Sequence, residues 1–106
     1  MYAQLTYFDR PRSSEQLAAE DFANSERIKP AVALVPGNIR TYVLRREDGS
    51  EVVVSLAETE QALIDSQKAI MGTALLPGED PALLRGADRV EIYPVHETVE
   101  HTGAQS

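Results

Sequence analysis

The sequence predicts an α+β fold of the split-βαβ, ferredoxin-like type: strand, helix, strand, strand, helix, strand, with one antiparallel sheet in the order 4-1-3-2. Three observations lead there. Asp48-Gly49 stands between two β-rich runs, 38–46 and 51–56, which is a hairpin signature. A helical periodicity precedes that hairpin and another follows it. Aromatic or β-branched runs, YAQLTYF and RVEIYPV, stand outside both helices.

The first strand, 2–8, alternates polar and apolar residues and is broken by Asp9 to Arg12 with Pro11. Ser13 and Gln16 then have capping-box spacing. Ala18, Phe22, Ser25, Ile28 or Lys29, Val32 and Val35 recur at three- and four-residue steps, one face of a helix. Pro30 interrupts that face and predicts a bend or a restarted last turn, and Pro36-Gly37 ends it. A strand at 31–35, favoured by its two valines, is the alternative reading of that run. Val52-Val53-Val54 is apolar on both faces, as a central strand requires. Residues 58–72 read as the second helix, capped by Thr59, with Leu63, Gln67, Ile70 and Met71 repeating. Within 76–88 a short helix is expected, capped by Asp80, opened by Pro81 and ended by Gly86. The last strand, 89–95, contains Pro94 and so belongs at an edge. Arg45-Arg46 guard the other edge.

At 106 residues and 42% hydrophobic, the chain makes a single domain, 1–96, followed by a flexible tail, 97–106. Ten basic against seventeen acidic residues give a charge of −7, which excludes an ordinary nucleic-acid binder and disfavours acidic membrane surfaces. Arg45-Arg46 is the one basic cluster, and Glu47-Asp48 follow it at once. With no cysteine, disulfides and thiolate metal sites are excluded, and a cytoplasmic location is the expectation. The start, MYAQLTYFDR, has no signal-peptide character. No apolar run approaches the roughly 20 residues needed to span a bilayer.

Alternation assigns the two faces of the sheet. Val52, Val54, Leu56, Ala3, Leu5, Tyr7, Val90 and Ile92 are expected towards the helices. Tyr2, Gln4, Thr6, Phe8, Val53, Ser55, Tyr93 and Val95 are expected on the other face. So aromatic a face is seldom left in water, and a two-fold homodimer is the expected cover.

Two segments, KPAVALVPGNIRTYVL and DGSEVVVSLAETEQAL, resemble the antibiotic biosynthesis monooxygenase-like family, the dimeric α+β-barrel proteins, over about residues 2–95. The resemblance implies two sheets closing into a barrel across a homodimer, with a small-molecule cavity between each sheet and its helices. Some relatives oxygenate phenolic polyketides without a cofactor, and others degrade haem. Ala57 precedes Glu58 where relatives carry Trp, and this chain has no Trp. Haem-degrading members use a helix histidine, and residues 1–95 hold none. No catalytic residue is therefore carried over, and no cofactor is expected.

The candidate ligand-binding residues are Tyr7, Tyr42 and Tyr93 as polar-tipped aromatics, Arg40 as an oxyanion partner, and Ser55 and Gln67 as orienting groups. A Tyr base would need its pKa lowered by about three units to act at neutral pH, so the tyrosines are read as hydrogen-bond donors. HETVEH (96–101) places its histidines five apart rather than the four of a zincin, and no metal site is expected. Three functions follow: a dimeric binder of a small aromatic molecule, a cofactor-free monooxygenase acting on a phenolic or quinol-type substrate, or a structural dimer.

Overall fold

The computed structural model describes residues 1–102. Its elements are β1 (Tyr2–Phe8), α1 (Ser14–Ala23), a π-helical segment (Asn24–Ile28), α2 (Lys29–Val32), β2 (Asn38–Arg45), β3 (Glu51–Ala57), α3 (Glu60–Met71), one 3-10 turn (Pro81–Leu83) and β4 (Arg89–Pro94). The four strands form one antiparallel sheet in the order β2-β3-β1-β4, the predicted ferredoxin-like arrangement. β3 is central and β4, with Pro94, lies at an edge. Residues 96–102 continue without helix or strand, and the last part of the expected tail, 103–106, lies outside the described residues. Among the described residues no helix is long and apolar enough to cross a membrane.

No strand forms at 31–35: α2 takes in Ala31 and Val32, and the chain turns out of it over 33–35. The helix thus ends before the predicted Val35 and has a form the periodicity did not show. Ser13 and Gln16 close a full capping box. The helix then widens, and the Lys29 N–H donates to the Asn24 carbonyl five residues back. α-Helical bonding resumes with the Ala33 N–H on the Lys29 carbonyl at 2.9 Å. Pro30 explains this: it has no N–H to give, and its ring would strike the carbonyl one α-turn earlier. A π turn makes room there, and Pro30 sits in the opening turn of α2, where an N–H is not needed. The short helix after Asp80 is a single 3-10 turn that ends at Leu83, before Gly86.

The facing of β1 and β3 is the reverse of the expectation. Gln4, Val53 and Ser55 look at the helices, together with Thr41 and Val43 of β2. Leu5, Tyr7, Val52 and Val54 look away from them, together with Leu44. Register carries the rest: Ala3 opposes Leu56 and Tyr93, so both partners share the outer face. Val90 and Ile92, opposite Thr6 and Gln4, share the inner one, so β4 faces as expected. Alternation fixes which residues of a strand share a face but not which face meets the helices. A strand apolar on both sides leaves that choice open.

Among the described residues the buried apolar side chains are few: Ala23, Ala57, Ala62 and Leu63. The last three gather where α3 crosses the end of β3, with Tyr2 against them. Gly37 (φ +94°) lets the chain pass there, since a Cβ on it would stand 2.9 Å from the Ala62 Cβ.

At the other end of the sheet a buried charge cluster replaces apolar packing. The Arg12 N–H donates to Asp48 O at 2.9 Å and its Nε to Gly49 O at 2.8 Å. Its guanidinium pairs with Glu20 of α1 and, at 3.1 Å, with Glu51 of β3. Arg45, expected to guard the edge, turns inward to Glu51 (2.7 Å), Asp21 (2.7 Å) and Glu20 (3.3 Å). Burial, then the neighbouring Glu51, pushes the Glu20 carboxyl above its ordinary value, while Arg45 holds Asp21 below it.

Arg12→Ala leaves Glu51 buried beside one arginine instead of two and is expected to cost about 3 kcal/mol in urea unfolding. Gly49→Ala is expected to cost roughly 1–3 kcal/mol, because φ is +88° and the new Cβ would lie 2.6 Å from Arg12 O. Arg46→Ala, outside the cluster, should stay within about 0.5 kcal/mol of the native protein.

Candidate functional site

Between the inner face of the sheet and the helices lies a cavity of ≈ 460 Å³, within the range of small-molecule sites. Its floor carries a row of polar residues across three strands. Gln4 of β1 and Thr41 of β2 both pair in register with Ser55 of β3. Val43 and Val53 flank the row. One wall is α3, which presents Leu63, Ser66, Gln67 and Ile70 at helical spacing. The other is the π segment and α2, with Asn24, Ile28, Lys29, Val32 and Ala33.

The π turn matters for that second wall. In a regular α-helix, residues five apart point roughly 140° away from each other. Closing the turn at five residues brings Asn24 and Lys29 to one side, and both line the cavity. The segment is tied down from outside by Arg27. Its Nε and Nη2 grip Glu79 at 2.8 and 3.1 Å, and its Nη1 donates to Thr73 Oγ1 at 2.7 Å. The Leu76 N–H also donates to Glu79, at 2.7 Å. Arg27 first, then that N–H, holds the Glu79 carboxyl below its ordinary value.

Some of the lining polar groups serve the fold. Asn38 Nδ2 donates to Ser66 Oγ at 2.8 Å, which in turn donates to the Ala62 carbonyl at 2.8 Å. Asn24, Lys29, Thr41, Ser55 and Gln67 have no side-chain hydrogen bond within the chain among the described residues. They stand among the valines, leucine and isoleucines of the lining and can bond a guest, Lys29 as a donor and the others as donors or acceptors. No carboxylate, histidine or tyrosine lines the cavity among the described residues, so a side-chain base of ordinary kind is not at hand.

Of the residues singled out from sequence, Ser55 and Gln67 stand on the cavity wall. Tyr7, Arg40, Tyr42 and Tyr93 lie on the opposite, outer face of the sheet. There the Arg89 guanidinium stacks 3.7 Å from the Tyr7 ring centre, and Arg40 Nη1 donates to the Tyr42 hydroxyl at 2.9 Å. Loss of hydration, then the hydrogen bond with Glu91, pushes the Tyr7 phenol above its ordinary value, the wrong direction for a base. Sequence reasoning passed over Gln4, Asn24, Lys29, Asn38, Thr41 and Ser66. The in-register row Gln4–Ser55–Thr41 was the available signal, since a polar row across the middle of a sheet needs either water or a ligand beside it.

No family model matches the sequence, and no curated protein matches it. Solved structures do match. A dimeric ferredoxin-like protein from an uncultured marine organism superposes with TM-score 0.63 at 12% identity, over 94% of this chain and 92% of that one. The monooxygenase ActVA-Orf6 of Streptomyces coelicolor, in complex with nanaomycin D, gives 0.62 at 18%, over 95% and 92%. A point mutant of MhuD with two manganese protoporphyrin IX molecules per active site gives 0.61 at 19%, over 95% and 100%. The chain thus has the ferredoxin-like fold of these structures, the fold its sequence predicts.

The Arg27–Glu79 grip makes the cavity wall acid-sensitive. A carboxyl held low in the folded state contributes stability above its unfolded value, 4.5, and loses it as pH falls through the folded value. Melting temperature should therefore drop on acidification below pH 4.5. In Glu79→Gln that part of the drop should be absent, which a melting series against pH would read directly.

Proposed function

We propose that this protein is a homodimer that binds a small, flat, aromatic molecule in the cavity between its sheet and helices. The observation that carries the binding reading is the cavity itself. It combines apolar walls with five polar side chains that have no hydrogen-bond partner among the described residues. Asn24 and Ser55 are half-buried and Lys29, Thr41 and Gln67 exposed at its opening, all available to a guest. Bound guests in the ActVA-Orf6 and MhuD structures support the reading by analogy of fold.

Dimerisation is supported by surface area. The protomer exposes 7287 Å², against about 5,800 Å² for a monomer of this mass. The surplus is of the order of one partner's share of an ordinary interface, about 800 Å², or more. The outer face is open to such a partner: Leu44 is 55% exposed, Tyr93 52% and Tyr42 44%. Leu5, Tyr7, Val52 and Val54 extend the same trough. In this reading Tyr7, Arg40, Tyr42 and Tyr93 belong to the interface between the two sheets rather than to the ligand.

A second reading, cofactor-free oxygenation of a phenolic or quinol-type substrate, is favoured by the shared fold with ActVA-Orf6. Such a substrate would have to lose its proton to solvent, because among the described residues the cavity wall offers neither carboxylate nor imidazole. Thr41, Ser55 and Gln67 could then donate to its oxyanion.

A panel of hydroquinones, anthrones and anthraquinones is expected to raise the melting temperature of the native protein, and Val53→Trp, which fills the cavity, to abolish the shift. No shift from any compound would overturn the binding reading. Oxygen uptake with the hydroquinones and anthrones would establish the second reading. Light scattering should give about twice the 11.6 kDa chain mass. Val54→Arg on the outer face should return it to the single mass, and a native protein of single mass at micromolar concentration would refute the dimer.

A further inference from the structure

We infer that the cavity selects an organic anion, a carboxylate or an ionised phenol, and that Lys29 is the residue that recognises its charge. This rests on the small-molecule reading above and adds the substrate class. The chain carries seventeen acidic residues, yet none of them lines the cavity among the described residues. Lys29 is the one charged side chain that does.

Its ammonium is also uncommitted. Arg12, Arg27 and Arg45 are each spent on carboxylates at 3.3 Å or closer. Among the described residues no carboxylate stands within 4 Å of Lys29. Asp21, the acid whose carboxyl feels Lys29, is held chiefly by Arg45. An unpaired cation beside apolar walls, with neutral donors at Asn24, Thr41, Ser55 and Gln67, favours an anion over a neutral molecule of the same shape.

The backbone shows how the lysine comes to be there. The π turn from Asn24 to Lys29 rotates residue 29 onto the cavity side, Pro30 prevents the turn from relaxing to α, and Arg27 with Glu79 anchors it from behind. A regular helix would turn the same side chain away from Asn24 and the cavity.

Equilibrium dialysis at neutral pH with anthraquinone-2-carboxylate and its neutral isostere anthraquinone-2-carboxamide tests this. The native protein should bind the carboxylate about tenfold more tightly. Lys29→Met should reduce that ratio to near one by weakening the carboxylate far more than the carboxamide, and Lys29→Arg should preserve it. Lys29 is solvent-exposed at the cavity rim, so both variants should fold, with native circular dichroism. Equal binding of the two compounds by the native protein, or a preference that survives Lys29→Met, overturns the charge reading and leaves the binding reading standing. If neither compound binds and the wider aromatic panel gives no melting shift, both readings fall together.

Discussion

The arrangement turns on one buried guanidinium. Arg12 follows β1 in sequence, yet its partners come from the hairpin turn, the start of β3 and the second turn of α1. Its side chain is 2% exposed and that of Glu51 1%, so neither charge can fall back on water. Burying ions rarely adds much stability over a well-packed apolar alternative, but misplacing either partner is severely penalised. What the cluster contributes is therefore specificity: helix, hairpin and β1 must all be in place before the charges are matched. The apolar core cannot enforce this. Among the described residues its buried members are three alanines and one leucine, and those that cluster do so at the far end of β3.

Much of the architecture was legible in the sequence because it is written locally. Asp48-Gly49 fixes the hairpin turn, Ser13 with Gln16 and Thr59 begin the helices, and Pro94 marks the edge. The strand order follows from these with few alternatives. The facing of β1 and β3 was not legible, since Val52-Val53-Val54 satisfies either choice and the inner face is unusually polar. A rule that sends apolar residues towards the helices fails where the helices cover a cavity instead of a core. Tyr7, Arg40, Tyr42 and Tyr93 consequently share the outer face, away from the cavity they were expected to line. Ser55 and Gln67 fell on the wall by different routes, one from the sheet and the other from the stripe of α3.

The π segment was beyond reach for a different reason. Helical periodicity assumes 3.6 residues per turn, and a single wide turn shifts the phase of everything after it. Ile28 or Lys29 could not be chosen from the pattern, and the structure shows both on the cavity wall. Pro30, which reads in sequence as a defect in the helix, is the local cause of the wall's geometry.

The strand order also has a kinetic side. β2 and β3 are neighbours in sequence and joined by a short turn, so their ladder closes a small loop. β1 pairs on both sides with strands far along the chain: Tyr7 meets Val52 on one side and Arg89 on the other. The entropy of closing those loops must be met before any pairing repays it. The hairpin is thus the natural nucleus, and β1 is the strand that must dock against it and then receive β4 near the end of folding. Until β1 docks, one edge of β3 keeps its N–H and C=O groups unpaired, and a net charge of −7 works against two such edges meeting.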